Sequence, residues 1–164
     1  MKKSIHYVFL SLIVISIFSC SKDEPTPTPS YSKVAITNVT VINFTDNNNG
    51  SYWDGVDDAD LYFRITPNGS TTSLFTLNTN LRAYDVDNTS VPISWAVSPN
   101  LLISNLSSPI DVDLLDYDNI GQDDYIGTCT YNFSNYTIGS NKYPASVTTQ
   151  SGSNIVKLDL TWTN

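Results

Sequence analysis

The sequence from Asp116 to Gly127 reads DYDNIGQDDYIG and holds four aspartates within nine residues. It follows the alternating apolar residues Ile110, Val112 and Leu114, a pattern typical of a half-buried β-strand. The acidic run is therefore predicted to be a loop between two strands. Two carboxylates about 4 Å apart repel by about 4 kcal/mol at an effective dielectric constant of about 20, so a folded domain seldom gathers four without a cation. Hard oxygen ligands in this number suit Ca²⁺.

A second acidic loop supports this interpretation. Residues 52–60 read YWDGVDDAD and lie between the strand-like segments 39–44 and 61–65. Two such loops, each between strands, would meet at one edge of a β-sandwich. The alternative is that both loops are solvated turns, since Asp, Asn and Gly dominate turns for reasons unrelated to metals.

The chain from residue 33 to 164 is predicted to form one all-β domain, an eight-stranded antiparallel β-sandwich. Short runs rich in Val, Ile, Thr, Tyr and Phe alternate with Asn, Ser, Gly and Asp, and no stretch shows a sustained helical period. A sandwich with another strand order would give the same pattern. Strands are predicted near residues 33–45, 60–66, 73–77, 80–86, 93–97, 109–116, 125–133 and 154–163.

The two acidic loops resemble the calcium-binding loops of C2 domains. Asp54 and Asp60 have the six-residue spacing of the first loop of that family. Asp116, Asp118 and Asp124, with a short apolar pair and Gly after the last, match the third loop in type and spacing. The resemblance covers about residues 33–163.

This resemblance implies a C2-like sandwich that binds Ca²⁺ through those five aspartates. Val56 and Ile120 stand where some family members insert side chains into a membrane, although such residues are as often plain turn residues. Trp53, beside the first loop, is a candidate for contacting a sugar or peptide. The number of calcium ions is left open. Three further aspartates are expected to lie at the surface and to contribute only negative electrostatic potential, not ligands to the metal: Asp57, Asp58 and Asp123.

The first 32 residues are predicted to export and anchor the domain. Residues 1–19 combine Lys2 and Lys3 with an apolar run too short to span a bilayer as a helix. Their end resembles a bacterial lipoprotein signal, which implies acylation of Cys20; the alternative is a plain signal peptide. Residues 20–32 contain alternating prolines and are predicted to form an extended tether. We therefore expect an outer-membrane lipoprotein that faces either the periplasm or the outside.

Charge and residue types exclude several functions. Removal of residues 1–19 leaves six basic and sixteen acidic residues, a net charge of −10, so nucleic acid is not an expected partner. The single histidine, His6, leaves with the signal peptide, which removes histidine-based acid/base, triad and zinc chemistry from the mature chain. No enzymatic activity is predicted.

Three functions stay open on the sequence alone. The first is a calcium-dependent module that binds a lipid headgroup, a glycan or a protein ligand at the loop end. A second is a structural lipoprotein in which calcium only rigidifies the fold. The third is a carbohydrate-binding accessory domain.

Overall fold

The structure is a computed structural model that describes residues 30–47, 50–51, 53 and 58–164. Several predictions fall on residues outside this part of the chain. These are the signal peptide, the acylated Cys20, most of the tether, and three residues of the first acidic loop, namely Asp54, Val56 and Asp57.

Two antiparallel sheets face each other across one apolar core. The first has the strand order β5-β1-β9-β8, and the second has the order β3-β2-β6-β7 with β4 also paired to β2. In the described residues the strands are β1 Lys33–Asn43, β2 Ala59–Pro67, β3 Phe75–Thr76, β4 Ala83–Val86, β5 Ile93–Ile103, β6 Ile110–Asp116, β7 Asp124–Tyr131, β8 Ser146–Ser151 and β9 Asn154–Thr163. Two short 3₁₀ helices occupy Thr79–Leu81 and Phe133–Tyr136.

Strand β1 lies at the centre of the first sheet, between β5 and β9. Its buried residues are spaced by two, as a strand facing a core requires, until the register shifts between Ile36 and Asn38. The extra residue of this β-bulge reverses the alternation, so that the inward positions continue at Val39 and Val41. The bulge explains how an irregular apolar pattern places Val34, Ile36, Val39 and Val41 in the core, while Ile42 near the end of the strand is 38% exposed.

The core is formed mainly by β1, β2, β6, β7 and β9. Its largest fully buried side chains include Phe44, Phe63 and Tyr131. Trp95 is 8% exposed, its ring lies 5.8 Å from that of Phe63, and its indole N–H donates to the carbonyl of Leu81 at 2.8 Å. The buried polar end of Trp95 is thus satisfied by the 3₁₀ helix that precedes β4, as burial in an apolar core demands.

The predicted all-β sandwich is confirmed, but with nine strands in the described residues rather than eight. The strand that the sequence did not reveal is β8, which has one buried apolar residue, Val147, and otherwise polar or small side chains. A partly exposed edge strand lacks the alternation on which sequence interpretation depends. Strand β5 also continues beyond the predicted end at residue 97, because an edge strand tolerates Pro99 where its register with β1 shifts.

The chain enters the sandwich at the end opposite the acidic loops. Lys33 begins β1 beside Thr163 of β9, and the next residue of β1 pairs with Ile103 at the end of β5. Pro67, which ends β2, lines a groove together with Ile103, so the second sheet terminates at the same end. We call this the entry end. An eleven-residue strand separates it from the opposite end by about 36 Å.

Gly127 in β7 offers a test of core packing. A Cβ atom at this position would lie 2.0 Å from Nδ2 of Asn154, a buried side chain whose Oδ1 accepts the N–H of Thr45 at 2.9 Å. We expect Gly127→Ala to lower the free energy of unfolding by about 1–3 kcal/mol, since a tightly packed site resists added volume. The midpoint of urea unfolding measures the change.

The control for this prediction is a double-mutant cycle. In an Asn154→Ala background the cost of Gly127→Ala should shrink, because the clashing atom is absent. An unchanged unfolding midpoint in the single Gly127→Ala variant would show that the neighbouring strands relax freely around the new methyl group.

Candidate functional site

Three aspartates lie at adjacent strand ends in the second sheet. Asp60 stands at the start of β2, Asp116 ends β6 and Asp124 begins β7. Asp116 pairs with Leu61 on one side and with Asp124 on the other, and the N–H of Tyr117 donates to the carbonyl of Asp60 at 3.0 Å. Antiparallel pairing therefore brings these three sequence-predicted residues to one end of the sheet, which we call the acidic end.

Asp116 is the most buried carboxylate at the acidic end. Its residue exposure is 0%, and its Oδ1 accepts the backbone N–H of Asp60 at 2.6 Å. A carboxylate bonded to a backbone N–H fixes the start of β2 against the end of β6. The structure therefore shows a positioning role for Asp116, and its role as a metal ligand stays a prediction.

The β6–β7 loop is closed by Asp123. Its Oδ1 accepts the N–H of Asp118 at 3.2 Å, and its Oδ2 accepts the hydroxyl of Tyr62 at 2.5 Å. Burial, followed by this hydrogen bond and the charge of Asp123, raises the pKa of Tyr62 well above its ordinary value of 10.0. Asp123 is half-buried and ties the loop to the sheet, a role that the expectation of a surface aspartate missed.

A cation from within the chain lies at the acidic end. The Nε of Arg82 donates to Oδ2 of Asp60 at 2.9 Å, with only 11% of the arginine and 13% of the aspartate side chain exposed. The guanidinium carbon lies 4.2 Å from the ring centroid of Tyr84 and 4.2 Å from that of Tyr117. Arg82 thus contacts two aromatic rings as well as one of the candidate ligands.

Sequence reasoning had no means of finding this contact. Arg82 stands 22 residues from Asp60, and their contact depends on the pairing of Ala83 in β4 with Leu61 in β2. The only local signal is the separation of Arg82 and Tyr84 by one residue, which places two side chains on the same face of a strand.

A polar depression opens beside Arg82. Ile120, which lines it, is 94% exposed, so the β6–β7 loop presents an apolar side chain to solvent, and contact of this residue with a membrane stays a prediction. Asp85 also lines it, with its backbone at a φ of 50°. The depression is lined by Asp60, Arg82, Tyr84, Asp85, Tyr117, Asp118, Asn119 and Ile120.

The first acidic loop is described only in part. Trp53 is half-buried, packs against the core, and donates its indole N–H to the carbonyl of Thr45 at 3.0 Å. Its ring is therefore used at least partly for packing, and its proposed contact with a ligand stays a prediction. Asp54 and Val56 lie outside the described residues.

The donor chemistry fits calcium, although the described side chains do not form a complete site. Carboxylates and backbone carbonyls are the ligands that Ca²⁺ prefers, and four of the five predicted aspartates lie on adjacent strand ends or on the loop between them. Within residues 30–47, 50–51, 53 and 58–164, no three acidic, histidine or cysteine side chains converge closely enough to hold a metal ion. The ion pair of Asp60 with Arg82 uses part of that donor set.

The outer face of the second sheet is acidic and internally bonded. Arg64 donates to Asp113 at 2.9 Å, and Asp113 also accepts the hydroxyl of Thr128. Asp111 accepts from the side chain of Asn68 at 3.0 Å and from Thr130 at 2.6 Å. Because the charge of Arg64 is neutralised by Asp113, the outer face of the second sheet does not form a basic patch.

Neither a protein-family model nor a curated protein matches the sequence. Among solved structures, the chain is similar to human GIVD cytosolic phospholipase A2 in complex with methyl gamma-linolenyl fluorophosphonate inhibitor and terbium chloride, with a TM-score of 0.50 and 13% identity over 82% of this chain and 18% of that chain. A C2 domain of plant extended synaptotagmin 1 gives a TM-score of 0.43 and 9% identity over 83% of this chain and 97% of that chain. The chain thus spans about a fifth of the phospholipase.

The fold is a C2-like β-sandwich. The two antiparallel sheets and the likeness to the phospholipase support the predicted fold class. At 13% identity this likeness concerns the fold alone. Within the described part of the chain, no helix has the length and apolar character needed to cross a membrane.

The bond between Tyr62 and Asp123 can be tested by titration. We expect Tyr62 to stay protonated well above pH 10 in the folded protein, and Asp123→Asn to lower its pKa by removing a charged acceptor. Because the folded-state pKa is raised, the stabilising contribution of Tyr62 is complete below pH 10 and is lost as the pH rises from 10 toward the folded value. NMR titration of the tyrosine ring carbons measures both effects.

Tyr131 serves as the internal comparison. Burial also raises its pKa, and its hydroxyl donates to the carbonyl of Val156 at 2.6 Å, so Asp123→Asn should leave it unchanged. An equal pKa of Tyr62 in the unaltered protein and in Asp123→Asn would show that Asp123 does not close the loop as described.

Proposed function

We propose that this protein is a non-catalytic binding module that holds Ca²⁺ at its acidic end and uses it to bind a ligand. The observation that carries this proposal is the arrival of Asp60, Asp116 and Asp124 on three neighbouring strand ends, with Asp118 on the loop between two of them. Carboxylates brought together by strand pairing repel one another, and a divalent cation relieves that repulsion.

In this proposal some aspartates position the site and others bind the ion. Asp116 fixes the start of β2 through the N–H of Asp60, and Asp123 fixes the β6–β7 loop, so the candidate ligands Asp118 and Asp124 lie on an ordered frame. Asp54 would complete the set from the first loop. When bound, Ca²⁺ would cancel the repulsion between these carboxylates and offer an open coordination position to an oxygen atom of the ligand.

The position of the chain's entry supports outward presentation of the site. If Cys20 is acylated, the membrane anchor lies thirteen residues before Lys33, which begins β1 at the entry end. The acidic end is the opposite end of the sandwich, so its loops would project away from the anchoring bilayer. We therefore propose an outer-membrane lipoprotein that presents its site to a ligand in the periplasm or outside the cell.

The chemistry of the surface bears on the class of ligand. The outer face of the second sheet is acidic and its Arg64 is paired with Asp113, which disfavours attraction of an anionic lipid surface to that face. The exposed Ile120 at the loop tip leaves a lipid headgroup region as one candidate, and a glycan or protein ligand as others. Calcium-dependent cosedimentation with phosphatidylcholine vesicles would distinguish a lipid headgroup from the other two.

One observation favours a structural role for calcium as the second candidate. Hydrogen bonds from Asp60, Tyr62 and Asp118 already tie the acidic end together, so a cation could serve only to rigidify it further. A large calcium-induced rise in melting temperature without binding of any ligand would favour this role. The carbohydrate-binding alternative depends on Trp53, and loss of glycan binding in Trp53→Ala would support it.

The calcium proposal is tested by thermal unfolding in EDTA and then in about 2 mM CaCl₂. For a Kd of about 0.1 mM, a ligand that binds only the folded state stabilises it by about 1.8 kcal/mol, which raises the melting temperature by several degrees. Asp118→Asn should remove most of this shift, because it removes a charged oxygen ligand without touching the bond from Asp60 to Asp116.

Asp159→Asn is the matched control. Asp159 lies in β9 and pairs with Lys157 at 3.0 Å, so its substitution makes the same change of charge away from the acidic end and should leave the calcium shift intact. Superimposed unfolding curves with and without calcium in the unaltered protein would refute the calcium proposal and leave a calcium-independent binding role.

A further inference from the structure

Arg82 is the only basic residue that lines the depression at the acidic end among the residues described there. Its Nε donates to Oδ2 of Asp60 at 2.9 Å, while Oδ1 of the same carboxylate accepts the N–H of Asp85 at 3.2 Å. Both oxygens of Asp60 are therefore engaged by groups of this chain. Arginine is fully protonated at neutral pH, so the guanidinium carries its full charge.

The guanidinium is held from several sides. Its Nη1 donates to the carbonyl of Thr79 at 2.8 Å, and the backbone N–H of Arg82 donates to the same carbonyl at 3.2 Å. The rings of Tyr84 and Tyr117 lie on it at 4.2 Å each. A guanidinium that already contacts two aromatic rings and a backbone carbonyl loses little further side-chain freedom on forming its ion pair, which favours a persistent contact.

We propose that Arg82 is an internal counter-ion that occupies Asp60 when the acidic end holds no metal, and that a divalent cation must displace it from that carboxylate in order to bind. The inference rests on the proposed calcium function. It assigns Arg82 a further role, that of setting the affinity of the site for cations.

Charge explains why the two cations exclude each other. Only 11% of the Arg82 side chain and 13% of the Asp60 side chain are exposed, so water and salt screen the pair weakly. A guanidinium and a divalent cation sharing one carboxylate would repel at short range in this setting. The same contact explains how Asp60 is tolerated at low exposure without a metal, because a buried carboxylate requires a paired charge.

Tyr84 and Tyr117 would retain the guanidinium after its ion pair with Asp60 breaks. The guanidinium carbon lies 4.2 Å from each ring centroid, and its Nε–H bonds to Asp60 and not to either ring, so we expect the arginine to keep its aromatic contacts when it loses the carboxylate. Tyr84 is 57% exposed, which leaves room for a small rotation toward solvent. We therefore expect displacement without a rearrangement of the sandwich.

The test compares Arg82→Gln with the unaltered full chain by titration with Tb³⁺ and Ca²⁺, using terbium luminescence sensitised by nearby tyrosines. Loss of the competing charge should tighten cation binding by about tenfold or more. Arg64→Gln is the matched control, because Arg64 makes a similar 2.9 Å ion pair with Asp113 on the outer sheet face, and it should leave the affinity unchanged.

A second readout needs no variant. The Nε–H resonance of Arg82 in a ¹H–¹⁵N NMR spectrum should shift as calcium is added, while that of Arg64 stays in place. In EDTA, Arg82→Gln should also melt at a lower temperature than the unaltered protein, and calcium should raise its melting temperature by more. If Arg82→Gln fails to fold, the NMR titration of the unaltered chain decides.

The outcomes separate this inference from the proposed function. Equal or weaker cation binding by Arg82→Gln, with the Arg82 resonance unmoved by calcium in the unaltered chain, overturns the counter-ion role and leaves the calcium function standing. Failure of both the unaltered chain and Arg82→Gln to bind either cation overturns the proposed function, and the counter-ion role with it. Tighter cation binding by Arg82→Gln than by the unaltered chain, with the affinity of Arg64→Gln unchanged, supports both the counter-ion role and the calcium function.

Discussion

The hydrogen bond from the N–H of Asp60 to the buried carboxylate of Asp116 joins the start of β2 to the end of β6. It fixes the two strand ends that carry these aspartates, and the other contacts of the acidic end depend on their position. Charge is costly to bury, and in a chain with twice as many acidic as basic residues a counter-ion is not available for each carboxylate. In the acidic end, three of the carboxylates each have a different partner. Asp116 receives a backbone donor, Asp60 receives Arg82, and Asp123 receives the hydroxyl of Tyr62.

On the outer face of the second sheet, the low-exposure carboxylates are satisfied by neighbouring side chains. Asp111 and Asp113 are less than 10% exposed on a strand that runs between β2 and β7. Cross-strand threonines, an asparagine and Arg64 donate to them, so each carboxylate is satisfied by side chains on the neighbouring strands or the turn that follows β2. These bonds are internal to one face of one sheet. The acidic end differs because its carboxylates come from strand ends and from the β6–β7 loop rather than from the middle of a strand.

Much of the fold could be predicted from local pattern, because the core strands alternate apolar and polar residues. The limits have physical causes. Strand β8 was missed because an edge strand buries little, and the bulge in β1 shifts a pattern that would otherwise be regular. At the site, the apolar alternation that precedes the acidic run predicted a loop between two strands, and the run does connect β6 to β7, because a short loop between antiparallel strands returns the chain to its partner.

What no local pattern could supply is the partner of each carboxylate. Arg82 reaches Asp60 through the pairing of β4 with β2, and Asp123 reaches Tyr62 across β6, so both contacts follow from tertiary structure. A count of acidic residues therefore overstates the negative charge that a loop presents, because some of it is already neutralised from within. The affinity of such a site for a cation depends on the difference between the incoming ion and the internal donors it replaces, and here the internal donor at Asp60 is itself a full positive charge.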